Sequence, residues 1–110
     1  MTYVIDIDGT ICTQCDSDYE KAHPIDDRIR YFNGLYEDGN KIVYHTARGM
    51  GRFNNDQKKA NDLLYEFTKK QLDSWGVKYH QILLGKPSGD IYIDDKAVNV
   101  ERFFKDIRKD

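Results

Sequence analysis

The stretch VIDIDGT, Val4 to Thr10, places two aspartates at the end of a short apolar run. Side chains of residues i and i+2 in an extended chain lie on the same side, so Asp6 and Asp8 converge on one point if the strand continues to Asp8. Gly9 allows the backbone to turn tightly directly after them. The stretch therefore predicts a buried strand that ends in a pair of carboxylates.

Further apolar runs and amphipathic stretches alternate along the rest of the chain. The predicted strands are Tyr3–Asp6, KIVYHT, VKYHQILL and DIYID. The predicted helices run from Ile25 to near Gly39, from a cap at Asn55 or Asp56 to Gly76, and from Asn99 to Lys109. Alternating strands and helices indicate β-α-β units on a parallel sheet, whose ligands gather at the carboxyl ends of the strands.

A polar side chain follows each of these strands. Thr46 closes the second strand, Lys86 follows the third, and Asp94 and Asp95 end the fourth. Four carboxylates at one sheet edge would repel each other, and a divalent cation removes this repulsion. Oxygen ligands in small number favour Mg²⁺. The predicted metal ligands are Asp6, Asp8, Asp94 and Asp95.

The predicted metal site also has groups that suit an anion. Lys86 contributes an ammonium and Thr46 a hydroxyl, while a turn at Gly9 brings backbone N–H groups close to the same place. Together they fit a phosphoryl group. We assign Gly9, Thr10 and Arg48 to substrate binding.

Length and composition limit the remaining choices. The 110 residues predict one domain spanning 1–110, with 39% hydrophobic and 33% charged residues, as in ordinary globular proteins. The net charge is −2 and the basic residues are dispersed, which argues against a nucleic-acid partner. The lack of a long apolar segment or a signal peptide favours a cytoplasmic protein without a membrane partner.

Cys12 and Cys15 form one C-x-x-C motif. Two reduced thiols in a loop are the simplest interpretation. A zinc site would need four ligands, and His23 and Asp16 are the nearest candidates in the sequence. A redox switch is the third interpretation.

The motifs DIDGT, IVYHTAR, GKP and IYIDDKA are similar, in order and in context, to the four motifs of the haloacid dehalogenase superfamily of phosphatases. The similarity spans Asp6 to Asp95. HTAR, GKP and YIDDKA also resemble the short phosphatases of capsular-polysaccharide and sugar biosynthesis. The resemblance implies a three-layer, Rossmann-like core with a small parallel sheet.

The resemblance also implies roles for individual residues. Asp6 would be the nucleophile that forms an aspartyl phosphate, and Asp8 the general acid and then the base. Thr46 and Lys86 would hold the phosphoryl group. Mg²⁺ would lie between Asp6, the backbone carbonyl of Asp8, and Asp94 or Asp95.

The intervals between the motifs leave no room for a cap domain. The loops Cys12–Pro24 and Arg48–Asp56 would form the walls of the substrate site, alone or with a second subunit. Arg48 would hold the far side of a small sugar or polyol phosphate, or of a surface-polysaccharide precursor.

Other functions fit parts of the same pattern. A nucleic-acid end phosphatase or a protein phosphatase would keep the chemistry and change the substrate. A phosphate-binding module without catalysis would keep the fold alone. A receiver domain also combines an acidic pair with Asp, Thr and Lys, but its acidic pair comes early and its phosphorylated Asp ends a middle strand.

Overall fold

The computed structural model describes residues 1–15 and 18–108, apart from the side chain of Arg108. Its three strands are β1 (Thr2–Asp6), β2 (Lys41–Thr46) and β3 (Gln81–Leu84), and its three α-helices are α1 (Asp26–Glu37), α2 (Gln57–Ser74) and α3 (Val100–Arg108). A short 3-10 helix covers Tyr19–Lys21. Asp16 and Lys109, which entered the sequence predictions, lie outside the described residues.

The strands form one parallel sheet in the order β1-β2-β3. Thr2 to Asp6 pair in register with Lys41 to His45, and Val43 to Thr46 pair with Gln81 to Leu84. Parallel neighbours need long crossover connections, and α1 and α2 supply them. The fold is a small α/β domain, and the carboxyl ends of its strands lie at the same edge of the sheet.

The helix ends follow local sequence signals. Asp26 and Asp27 lie in the first turn of α1, where negative charge is favourable. Asp56 caps α2, because its Oδ1 accepts a hydrogen bond from the backbone N–H of Lys59 at 3.1 Å. Gly76 follows α2 with a φ of +73°, the left-handed conformation that glycine adopts without strain.

The core contains apolar residues from the sheet, α1, α2 and α3, and Ile42, Tyr44 and Leu72 are fully buried. Phe103 and Phe104 of α3 pack edge-on or stacked against Tyr31 and Phe32 of α1. Leu63, which the helical periodicity places on the inner face of α2, is 62% exposed instead.

Arg28 connects two distant parts of the chain. Its Nη1 donates to the backbone carbonyls of Thr10 (3.2 Å) and Gly9 (3.5 Å), while its Nη2 donates to Glu101 on α3 at 3.1 Å. The guanidinium also lies over the ring of Phe104, with Cζ 4.9 Å from the ring centroid. The turn after β1 is therefore tied to the C-terminal helix.

The predicted fourth strand, DIYID, does not form within the part of the chain that the structure describes. Ile91 and Ile93 are 79% and 95% exposed. Local contacts hold this region instead, because the hydroxyl of Tyr92 donates to the carbonyl of Pro87 at 2.7 Å and accepts from the N–H of Gly89 at 3.0 Å. Hydrogen bonds of this kind compete with strand pairing.

No helix among the described residues is long and apolar enough to cross a membrane.

Candidate active site

A cavity of about 310 Å³ opens at the carboxyl edge of the sheet. Its walls are Asp6, Asp8, Gln14, Cys15, Tyr19, Thr46, Ala47, Arg48, Lys86, Ser88, Gly89 and Tyr92. The strand-end residues Asp6, Asp8, Thr46 and Lys86 therefore share one cavity, as their sequence positions predict. Its volume suits a small ligand.

Asp6 is the carboxylate that ends β1, and its side chain is 36% exposed. Lys86 Nζ lies 3.5 Å from Asp6 Oδ1, so the two form an ion pair at the cavity wall. Burial raises the pKa of Asp6 above its usual range, although the charge of Lys86 acts in the opposite direction. Lys86 neutralises the Asp6 carboxylate only in part, so Asp6 could still bind a second cation.

Thr46 fixes the relative position of the two cation-bearing loops. Its Oγ1 accepts the backbone N–H of Arg48 at 3.1 Å, and its carbonyl accepts the N–H groups of Gly85 and Lys86 at 3.2 and 3.1 Å. A hydroxyl that accepts one hydrogen bond still has its own proton to donate. Thr46 is only 1% exposed, yet it lines the cavity, so an anion bound directly against this wall could accept the hydroxyl proton.

The Asp8 carboxylate binds Arg48 rather than standing free. Arg48 Nε donates to Oδ2 at 2.9 Å and Nη2 donates to Oδ1 at 3.0 Å, a bidentate pair. Burial alone would lower the pKa of Arg48, but the bond to Asp8 and its charge raise it, so the guanidinium stays charged. The Arg48 side chain is fully buried, which leaves it no reach to the far side of a substrate. The expectation of such a contact does not hold in this structure.

Gly9 and Thr10 do not line the cavity. The N–H of Gly9 donates to the carbonyl of Cys12 at 2.8 Å, and the N–H of Thr10 donates to the carbonyl of Ile7 at 3.0 Å. The expectation that they present N–H groups to an anion therefore fails, because the turn itself uses those donors. Gly9 is needed for the turn, since its φ is +86°.

Asp94 and Asp95 are also away from the cavity. Both are exposed, and Asp94 Oδ1 accepts the backbone N–H of Lys96 at 2.7 Å, which lowers the pKa of Asp94. They were predicted as metal ligands on a fourth strand, and without that strand nothing carries them to Asp6. Among the described residues no group of three or more His, Cys, Asp or Glu side chains is arranged to hold a metal ion.

The donor set still suits Mg²⁺ in one respect. Mg²⁺ is commonly held by one or two carboxylates, several waters and the phosphate of a substrate rather than by an all-protein cage. Asp6 offers an accessible carboxylate beside the space that a phosphate would fill. The Asp8 side chain does not, because Arg48 binds both of its oxygens.

Cys12 lies behind the site. Its thiol is fully buried and donates to Asp8 Oδ1 at 3.5 Å and to the carbonyl of Ile7 at 3.7 Å. Burial, with the nearby charge of Asp8, raises the pKa of Cys12 to about 12. The Cys12 thiol is therefore neutral at ordinary pH, and Cys12 and Cys15 do not form a disulfide with each other.

Two aromatic residues of the cavity escaped the sequence analysis. The ring of Tyr19 lies 4.7 Å from Arg48 Cζ, and the ring of Tyr92 lies 4.3 Å from Lys86 Nζ. Tyr19 belongs to a polar loop without periodicity, so no signal marked it. Tyr92 was predicted to lie in the fourth strand, DIYID. The structure places it in a loop, where its ring contacts Lys86.

Comparison with known proteins gives one informative result. A crystal structure of a protein from Vibrio cholerae superimposes with a TM-score of 0.84 and 31% sequence identity, over 98% of this chain and 94% of the other. The chain belongs to the family of that protein. No family model and no curated protein matches the sequence.

Proposed function

We propose that this protein is a phosphatase of the haloacid dehalogenase type, with a capless three-layer core, that hydrolyses a small phosphate monoester. One observation carries the proposal. Two carboxylates, a hydroxyl and an ammonium line a single cavity of about 310 Å³ at the carboxyl edge of a parallel sheet. These are the groups that phosphoryl transfer requires for attack, proton transfer and charge neutralisation.

In this proposal an oxygen of Asp6 attacks phosphorus in line, and the bond from phosphorus to the ester oxygen breaks. Asp8 must carry a proton at this point, in addition to the bonds that it accepts from Arg48, and it gives this proton to the leaving oxygen while the phosphoryl group stays on Asp6 as an aspartyl phosphate. Asp8 then accepts a proton from the attacking water, and the bond from phosphorus to Asp6 breaks. Phosphate leaves, Asp6 is again a carboxylate and Asp8 is again protonated. Lys86 and Thr46 hold the phosphoryl oxygens in both steps.

We include Mg²⁺ in the proposal, held by Asp6 together with water and the oxygens of the substrate phosphate. When bound, it would reduce the repulsion between the Asp6 carboxylate and the phosphate. Asp94 and Asp95 take no part in this conformation.

The substrate class follows from the cavity. Its size suits a sugar or polyol phosphate, or a phosphorylated precursor of a surface polysaccharide. Gln14 and Ser88 supply neutral polar groups at its wall, and Tyr19 and Tyr92 supply ring faces. Side chains of these types can bind hydroxyl groups and the apolar face of a sugar ring.

The test is release of inorganic phosphate from a panel of esters. The panel contains hexose, pentose and polyol phosphates, nitrophenyl phosphate, a 3′-phosphorylated oligonucleotide and a phosphopeptide. Asp6→Asn serves as the inactive variant. Asp62→Asn is the matched control, because Asp62 is an exposed aspartate on α2 that forms a surface ion pair with Lys58 at 3.3 Å.

We expect turnover of a sugar or polyol phosphate that Asp6→Asn abolishes and Asp62→Asn retains. A chelator should abolish it, Mg²⁺ should restore it, and Ca²⁺ should inhibit because its larger, looser coordination disturbs the in-line geometry. Full activity in chelator would contradict the metal part alone. A clear preference for the oligonucleotide or the phosphopeptide would show that the substrate is not a small sugar or polyol phosphate. A wild type that is inactive on every ester would favour a phosphate-binding module without catalysis.

A further inference from the structure

Asp8 and Arg48 both contribute to the cavity wall, but the two side chains of this pair differ in solvent exposure. The Asp8 side chain is 20% exposed, whereas that of Arg48 is 0% exposed. The guanidinium nevertheless binds both carboxylate oxygens, at 2.9 and 3.0 Å. Such a bidentate pair fixes the plane of the carboxylate as well as its distance.

Arg48 is itself held by two other elements. Its Nη1 donates to Thr68 Oγ1, a buried hydroxyl of α2, at 3.4 Å. Its Cζ lies 4.7 Å from the ring of Tyr19. The Tyr19 hydroxyl in turn accepts the N–H of Gly49 at 3.0 Å, and its carbonyl accepts Nε2 of Gln71 at 2.7 Å. The guanidinium thus has a fixed position before any ligand enters.

A carboxylate has about four acceptor positions. Arg48 occupies one on each oxygen of Asp8, and the Cys12 thiol occupies a second one on Oδ1. One position on Oδ2 remains, and the Asp8 side chain is 20% exposed. We propose that Arg48 is a positioning residue, which holds the Asp8 carboxyl group in the orientation needed to pass a proton to and from the substrate. The inference rests on the proposed phosphatase function. It gives Arg48 a role through Asp8 in place of the direct substrate contact that the sequence predicted.

This role predicts a particular pattern of kinetic loss. Misplacing a catalytic group by about 1 Å costs on the order of 100-fold in rate. Arg48→Ala should therefore lower kcat by about 100-fold on alkyl phosphates, whose leaving oxygen needs a proton, and by only about 2-fold on nitrophenyl phosphate. KM should stay unchanged, because the guanidinium is not solvent-exposed and is bound to Asp8.

The decisive experiment is a double-mutant cycle of Arg48→Ala and Asp8→Asn. If Arg48 acts through Asp8, the two losses on alkyl phosphates will not add, and Arg48→Ala will change the rate of Asp8→Asn by less than about 2-fold. Arg48→Lys should fall between wild type and Arg48→Ala, because an ammonium keeps the charge but cannot make the bidentate pair. Arg102→Ala, on the surface of α3, is the control and should behave as wild type.

Folding is monitored by circular dichroism and thermal melting, and Arg48→Gln keeps much of the side-chain volume beside Tyr19 if the alanine variant unfolds. The inference would be overturned, and the proposed function kept, by any of three results. These are additive rate losses for Arg48→Ala and Asp8→Asn, equal losses for Arg48→Ala on alkyl and nitrophenyl phosphates, or a raised KM for Arg48→Ala. Unfolding of both variants would overturn it too, because Arg48 would then serve the fold rather than Asp8. A wild type without turnover on any ester would overturn the proposed function and this inference together.

Discussion

At the scale of single residues, Asp6 experiences two opposing influences. Burial raises its pKa above the value of 3.8 expected for a free aspartate, and Lys86 only partly offsets this. A carboxyl group with a raised pKa in the folded state stabilises the fold fully below its unfolded pKa, and this stabilisation is lost as the pH rises through the folded pKa. At neutral pH the ionised Asp6 therefore weighs against the folded state.

We expect Asp6→Asn to abolish turnover and to raise the melting temperature at pH 7 in the absence of divalent cations. The gain should shrink as the pH falls through the raised pKa of folded Asp6 and should be lost below 3.8, where Asp6 becomes neutral in both states. Melting curves across this pH range provide the measurement, with Asp62→Asn again as the surface control. Equal melting temperatures for wild type and Asp6→Asn at pH 7 would contradict the raised pKa.

Lys86 and Thr46 should differ in their effect on kcat/KM. Hydrogen bonds to charged groups contribute about 1.5–3 kcal/mol and neutral ones about 1 kcal/mol, so Lys86→Ala should cost more than about 10-fold and Thr46→Ala about 5-fold. Thr46→Ser keeps the hydroxyl that accepts the N–H of Arg48 and is the matched control. The reverse ranking of the two alanine variants would show that Lys86 does not hold the phosphoryl group.

The residues at strand ends could be predicted because hydrophobic runs mark where strands end. Asp6, Thr46 and Lys86 follow from that pattern, and the structure brings them to one cavity with Asp8. The partner of Asp8 could not be predicted, since a pairing with Arg48 across 40 residues has no sequence signature. The hydrogen bond from the Gly9 N–H to the Cys12 carbonyl could not be predicted either, because it depends on the exact path of the turn.

At the scale of elements, periodicity and capping predicted β1, β2 and the three α-helices. The predicted strand VKYHQILL is a strand only over Gln81–Leu84, and the predicted fourth strand does not form among the described residues. The consecutive residues Ile91, Tyr92 and Ile93 are of types that are common in strands, but a strand also needs a neighbouring strand to pair with. In this structure Tyr92 binds the loop at Pro87 and Gly89 instead. Hydrophobic patterning does not encode such local hydrogen bonds, so they could not be predicted from the sequence.

The stability of Ile93 variants tests this difference. Because Ile93 is 95% exposed, Ile93→Ser should change the free energy of unfolding by less than about 0.5 kcal/mol. Ile42→Ala, at a fully buried position of β2, should cost about 2–5 kcal/mol and serves as the positive control. Denaturant titrations measure both. A loss of more than about 2 kcal/mol for Ile93→Ser would mean that the segment packs as a buried strand.

At the scale of the whole molecule, α3 is joined to the remainder by a few large contacts. Phe104 is 7% exposed and packs against Tyr31 and Phe32 of α1. Truncation of a buried phenylalanine costs about 3–5 kcal/mol, so Phe104→Ala should be among the most destabilising single changes. Lys105→Ala, at an exposed position of the same helix, should be neutral. Similar denaturation midpoints for the two variants would show that α3 adds little to stability.

The bonds from Arg28 to the turn at Gly9 and Thr10, and to Glu101, have a consequence for the temperature range of activity. A nine-residue helix that is joined to the rest of the described chain by a few side chains can open locally on heating before the sheet does. When α3 opens, Arg28 loses its partner on that side and the turn after Asp6, the proposed nucleophile, loosens, while the sheet is still folded. An Arrhenius plot of turnover should therefore bend downward several degrees below the melting temperature of the sheet, and recover fully on cooling.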